Sequence, residues 1–138
     1  MQTFCPSSIF IMSAKILDNK RLGKQRVEAK QILNALQGKS KGWTKHPATL
    51  MWKGFEEALK LYHNAMVTEW VNRGFKNTME LLPVDENKLV FPPWLGNSEF
   101  HASHRSNLLR KDKKFYSKYN WGECDDLTYV WPSKKLTA

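Results

Sequence analysis

Apolar side chains recur at helical spacing along most of the chain. From Ser13 to Gln37, Leu22, Ala29, Leu33 and Leu36 fall on one stripe, with Lys20, Lys24 and Gln31 off it. Ser13 stands where an N-cap is expected, Gly38 where such a helix stops, and Gly23 is a candidate interruption. Pro47 suits the first turn of a second helix. Met51, Phe55, Ala58, Tyr62, Met66 and Trp70 then step by three or four residues up to Arg73-Gly74, a cation and a glycine at the expected stop. Residues 75–96 carry Pro83, Pro92 and Pro93, which predicts irregular backbone. A third helix is predicted from Asn97 or Ser98 to about Lys111.

The two ends differ from this middle. Residues 1–12 read as extended, with Pro6 against helix and Thr3, Phe4, Ile9 and Phe10 favouring strand or coil. Residues 112–138 hold Phe115, Tyr116, Tyr119, Trp121, Tyr129 and Trp131, broken by Gly122 and Pro132, and are expected to wrap the bundle. The fold class is therefore all-α: a single compact three-helix bundle over residues 1–138, with an extended N-terminal segment and an aromatic-rich irregular C-terminal tail. A chain of 138 residues buries roughly two-thirds of its unfolded surface, enough for one core.

Composition narrows the class. Cys5 and Cys124 stand far apart without ligand spacing, and read as free thiols of a reducing compartment. No apolar run approaches the ~20 residues that cross a bilayer, so a soluble cytoplasmic protein without a membrane partner is expected. The net charge is +9, unevenly spread. Residues 13–45 carry nine Lys/Arg against two acids, and residues 97–121 six against two. The stretches 46–96 and 122–138 each hold one more acid than base. Two cationic blocks repel one another in a compact fold, and a polyanion offsets that cost while releasing its counterions. Duplex DNA or a nucleotide phosphate is the expected partner. Nothing in the sequence reports an oligomeric state.

Candidate chemistry is sparse. There is no nucleophile elbow, no phosphate-cradling glycine loop and no HExxH. His101 and His104 are spaced i,i+3, but no Cys or acid at a helpful offset completes a metal site, so neither metal nor cofactor is expected. With Ser103, Arg105 and Arg110 they form either a phosphate site near a helix start or the polar side of an ordinary amphipathic helix. Trp43 and Trp94 fall in predicted loops, where each stacks on a base or caps the core. Glu28 is the only acid between Asn19 and Gly42, framed by Lys20, Arg21, Lys24 and Arg26. It is either an i,i+4 partner of Lys24 or a carboxylate poised for sugar-phosphate chemistry, stabilising positive charge at an anomeric carbon and then removing a sugar proton.

Glu28-Ala29, the loop Gly42-Trp43-Thr44-Lys45-His46-Pro47, the helix end Arg73-Gly74-Phe75 and the aromatic run Lys114-Phe115-Tyr116-Ser117-Lys118-Tyr119 together resemble the pyrimidine-dimer glycosylase family, often called endonuclease V. The resemblance spans about residues 13–121. It implies a compact helical bundle with its N-terminal segment threaded between helices. It also implies a reaction in which the N-terminal amine forms a covalent imine as the glycosidic bond of a damaged pyrimidine is cut, followed by β-elimination of the DNA backbone.

Carried onto this chain, the resemblance makes Glu28 the catalytic glutamate and Met1 the source of the amine. It makes Arg26 and Arg21 phosphate contacts and places His46 and Pro47 in the loop before the second helix. Lys24, Lys45, His101, His104, Arg105 and Arg110 join the expected phosphate-binding set, with Trp43 and Trp94 as stacking candidates. An α-amine suits the nucleophilic role on general grounds: with an unperturbed pKa near 7.7, roughly a sixth of it is neutral at pH 7, several hundred times the fraction of a lysine. Gln2 is too large for ordinary removal of Met1, so either Met1 itself supplies the amine or this branch has lost the imine chemistry. Two functions follow, a glycosylase with lyase activity or a non-catalytic nucleotide-binding module on the same fold. A structural nucleoid or virion protein fits the charge but leaves Glu28 unexplained.

Overall fold

A computed structural model describes residues 1–132. Among these the chain is helical with no strand: α1 (Phe10–Ile16), α2 (Asn19–Leu36), α3 (Pro47–Leu50), α4 (Glu56–Asn72), α5 (Ser98–Lys111) and α6 (Lys113–Tyr116), plus 3-10 turns at Glu86–Lys88 and Ser117–Tyr119. The last six residues of the aromatic tail lie outside the described range.

Two predicted helices are each divided by a turn. Ser13 is not an N-cap. It is buried inside α1, where its hydroxyl donates to the Ser7 carbonyl and accepts from the Ser7 N–H, so the helix begins earlier than the pattern indicates. Helix α1 stops at Leu17, and Asp18 opens α2 by accepting from the Arg21 N–H at 3.4 Å. The long second helix is likewise two: α3 ends, a turn runs through Met51 to Gly54, and α4 begins after Phe55. Gly54 takes φ +87°, which a side chain disfavours, and its N–H donates to the Glu56 carboxylate at 2.8 Å. The apolar stripe survives this break, because Met51, Ala58, Tyr62 and Met66 are all buried.

Other boundaries fall where the sequence puts them. Gly74 at φ +88° follows the end of α4, and the Asn97 side chain caps α5 through the Phe100 N–H at 3.0 Å. Gly23 does not interrupt α2: its missing side chain lets the Trp70 ring of α4 lie against the helix.

Helix α2 packs on α4, and α1 on α4. Their core holds Leu22, Ile32, Leu33, Trp52, Leu59 and Tyr62. In the C-terminal region, Tyr116 and Tyr119 each stack on Trp121. The Tyr116 hydroxyl bonds Asp18, and that of Tyr119 donates to the Ile16 carbonyl at 2.9 Å, so this region ties down the α1–α2 junction.

Candidate nucleic-acid and amine site

The first six residues have no helix or strand of their own, yet most of this segment is buried. Their polar backbone groups are met by side chains instead. The Gln2 N–H donates to Glu28 Oε2 at 2.9 Å. The Thr3 hydroxyl accepts from Trp52 Nε1 at 3.0 Å. Gln25 Oε1 accepts from the Phe4 N–H at 2.9 Å and from the Tyr62 hydroxyl at 2.6 Å, and that hydroxyl also contacts the Phe4 carbonyl at 2.8 Å. The Cys5 N–H donates to His104 Nδ1 at 2.8 Å, and His101 Nδ1 lies 2.7 Å from the Cys5 carbonyl. Arg105 closes the series by donating to the Pro6 carbonyl at 2.9 Å. A segment without secondary structure is thereby held along its length.

Its open end lies in a polar cavity of about 520 Å³. Met1, Gln2 and Phe4 form one wall, Lys20, Arg21, Lys24, Gln25 and Glu28 of α2 another, and His46, Lys111 and Trp131 complete it. Helical spacing explains the second wall: residues 20, 24 and 28 rise on one stripe, with 21 and 25 beside it. A shallower cavity on the other flank of α2 shares Lys20, Lys24 and Glu28 and adds Val27 and Trp70. An apolar cavity of about 510 Å³ between α1 and α4 holds Lys15 and Glu69 as its ionisable residues, and neither is near the terminus in sequence. Cationic side chains, the Glu28 carboxylate and the first residue of the chain meet in the polar one.

His46 reports that meeting electrostatically. Burial and the positive N-terminus hold its imidazole below the ordinary value, while the Glu28 carboxylate acts in the opposite direction. Its Nδ1 accepts from the Ala48 N–H at 3.0 Å, so it also caps α3. The ring stands edge-on to Trp43 at 5.5 Å and to Trp131 at 5.9 Å. Trp43 is half exposed, with φ +68°, an uncommon conformation for a bulky residue.

The expected residues thus divide. Met1, Arg21, Lys24, Glu28 and His46 line the polar cavity together, with Trp43 against His46 and Lys45 exposed in the same loop. Arg21 also pairs with Asp18 at 3.2 Å. Arg26 does not line it: its guanidinium sits 4.3 Å from the Trp70 ring centroid and donates to Asn77 at 2.8 Å. Trp94 is fully buried, edge-on to Trp52, with its Nε1 on the Met51 carbonyl, so its ring face is not open to a base. His101 and His104 are buried against the N-terminal segment rather than presented to solvent. Arg105 pairs with Glu123, and Arg110 donates to the Asp125 carbonyl and Asn107.

The cavity also contains residues the sequence did not single out: Gln2, Lys20, Gln25, Lys111 and Trp131. Lys20 and Gln25 were legible from their helical offsets to Glu28. Lys111 and Trp131 reach the cavity only through the fold, and no spacing marks them. Among the described residues no group of three or more His, Cys, Asp or Glu is disposed to hold a metal, and no helix is long and apolar enough to cross a membrane.

A family model described as pyrimidine dimer DNA glycosylase matches residues 1–83. That span contains the N-terminal segment, all of α2 and His46, and stops before α5 and Trp131. No curated protein and no solved structure gives a match.

Proposed function

Since the chain belongs to the pyrimidine dimer DNA glycosylase family, we propose that it removes a damaged or modified pyrimidine from duplex DNA and then cuts the strand as an abasic-site lyase. The nucleophile is the chain's first amine. This is the amine of Met1, a residue that lines the cavity and whose neighbour Gln2 donates its backbone N–H to Glu28 Oε2 at 2.9 Å. The observation that carries the reading is the Gln2 N–H bond to Glu28, which brings the first residues of the chain to the carboxylate within a cationic cavity.

In the proposed reaction the neutral amine attacks C1′. The bond from C1′ to the base breaks, and the base leaves with its electron pair and takes up a proton. Opening of the sugar ring gives an imine between the amine and C1′. Glu28 then removes a proton from C2′, the electrons move toward the imine, and the bond from C3′ to its phosphate oxygen breaks. Water hydrolyses the remaining imine and frees the amine. Lys20, Arg21, Lys24 and Lys111 hold flanking phosphates. The nucleotide must leave the stack for C1′ to be reached. His46 and Trp131 offer ring surfaces beside it, and Trp43 stands next to His46 at the exposed loop.

Borohydride reduction in the presence of abasic duplex DNA tests the proposal. The expected result is a covalent protein–DNA species whose digestion places the adduct on the first residue. Strand cleavage without any trapped species, or an adduct on a lysine, overturns the amine assignment. A second reading has one observation behind it: with Met1 retained, the nitrogen nearest Glu28 is an amide, which is not a nucleophile. In that reading the cavity binds a nucleotide phosphate without chemistry. Calorimetry showing submillimolar mononucleotide binding, together with no cleavage of damaged duplex, would favour it.

A further inference from the structure

Two buried histidines of α5 take no part in the chemistry above, and both face the same residue of the N-terminal segment. We infer that His101 and His104 are positioning residues for the N-terminal nucleophile, gripping the Cys5 backbone from both sides and so setting how far the first residues reach toward Glu28. This inference rests on the N-terminal-amine reading.

The i,i+3 spacing brings the rings to neighbouring positions on α5. His104 Nδ1 accepts from the Cys5 N–H at 2.8 Å, which leaves its own proton on Nε2. His101 has the opposite tautomer. Its Nε2 accepts from the Gly96 N–H at 2.8 Å, so Nδ1 carries the proton and donates to the Cys5 carbonyl at 2.7 Å. One neutral imidazole thus accepts from the Cys5 backbone and the other donates to it. No single side chain of another type replaces both without a second anchor such as Gly96.

The rings have little freedom to drift. His104 is fully buried, with Phe100 at 4.2 Å and Tyr129 at 4.6 Å between ring centroids. Beyond Cys5, Gln25 and Tyr62 hold Phe4, and Glu28 holds Gln2. An extended chain advances about 3.3 Å per residue, so Cys5 lies roughly 13 Å of chain from the terminus, and a shift there is passed to the bonds at Phe4 and Gln2 that set the reach toward Glu28. A displacement of 1 Å at a reacting atom costs up to about a hundredfold in rate, so the grip matters more to rate than to affinity. The phosphate-holding cations sit on α2 and at Lys111, away from these bonds.

Cys5 provides a direct reporter. It is buried, whereas Cys124 is exposed, so a Cys124→Ser background leaves one thiol that labels only when the segment lifts. In that background, His104→Leu removes the acceptor and His104→Asn keeps one at the same branch point; His101→Asn is the corresponding change at the donor. The expected result for His104→Leu is at least about a tenfold slower single-turnover imine trapping on abasic duplex. Its Kd for that duplex should stay within about twofold, because the phosphate-holding cations are untouched. Cys5 alkylation should accelerate by about tenfold or more, and His104→Asn should recover most of both effects. If His104→Leu does not fold, His101→Leu, which removes the donor, against His101→Asn, which keeps one, supplies the same comparison. Trapping at the wild-type rate, unchanged Cys5 labelling, or a slower rate matched by weaker DNA affinity would overturn the grip alone. Absence of trapping in the unsubstituted protein would instead overturn the amine reading and this role with it.

Discussion

Trp70 of α4 lies against the bare α-carbon of Gly23 on α2, so close that a β-carbon there would meet its Cζ3 at 2.9 Å. The indole cannot easily retreat. Its Nε1 donates to the Lys76 carbonyl at 2.8 Å, Phe75 stacks on it at 4.3 Å and Arg26 covers the ring. Gly23→Ala gains about 1 kcal/mol in helix propensity but adds a methyl to a filled contact, at a cost of roughly 1–3 kcal/mol. We expect a net loss of stability by chemical denaturation, with a shift in tryptophan emission. A variant more stable than the parent would show that Trp70 yields freely.

Glu28→Gln keeps an oxygen that can accept from the Gln2 N–H, so the N-terminal segment should stay seated. The proton acceptor is lost. Strand cleavage at an abasic site should fall by about 10²–10⁴-fold, while DNA affinity holds or rises because one negative charge leaves a cationic cavity. Gel cleavage and anisotropy read the two quantities separately. Cleavage at the parent rate would remove Glu28 from the mechanism.

Lys20, Lys24 and Lys111 are exposed and line the cavity around the carboxylate. Replacing any one with Ala should weaken binding to damaged and undamaged duplex alike. It should also lower the slope of log K against log salt by about 0.9 for each phosphate no longer neutralised. Lys60, paired with Glu57 at 3.0 Å and outside the cavity, is the control whose substitution should leave the slope unchanged.

Acid should unfold this protein early. Burial holds His63, His101 and His104 below the usual imidazole value, His104 furthest, with His101 and Arg105 adding repulsion there. The unfolded chain then binds more protons than the native one once pH drops below the unfolded value near 6.5. Their stabilising contribution is complete above that pH and declines as pH falls toward the native values, by up to about 1.4 kcal/mol per unit for each group. Denaturation midpoints at pH 7.5 and pH 5 measure this. His104→Asn should flatten the decline, and equal midpoints at both pH values would contradict it.

The parts of this architecture written locally were legible, and those written at long range were not. Asn97 before α5 and Arg73-Gly74 after α4 are capping signals contained in a few residues. The breaks at Leu17 and at Gly54 were hidden because the apolar stripe continues across both turns, and a stripe reports burial rather than continuity of hydrogen bonds. Glu28 stands out as a lone acid among cations, and its neighbours Lys20, Lys24 and Gln25 follow by helical arithmetic. His101, His104 and Arg105 are recognisable as a concentration of donors, but their targets lie in residues 5 and 6, where no local spacing points. Arg26 reads locally as a phosphate contact, whereas Trp70 and Asn77, far along the chain, engage it.

The bonds that fasten Cys5 and Pro6 reach partners 96 to 99 residues downstream. During synthesis the amino end leaves the ribosome first, and its fastening at residues 5 and 6 can be completed only after α5 has emerged. A nascent or truncated chain lacking α5 would keep the contacts of residues 2–4 to Gln25, Glu28, Trp52 and Tyr62 but lose those that fix residues 5 and 6. Full seating of the segment thus waits on completion of the polypeptide, and a bulky fusion ahead of Met1 would have to escape through the mouth of the cavity for the same seating to occur.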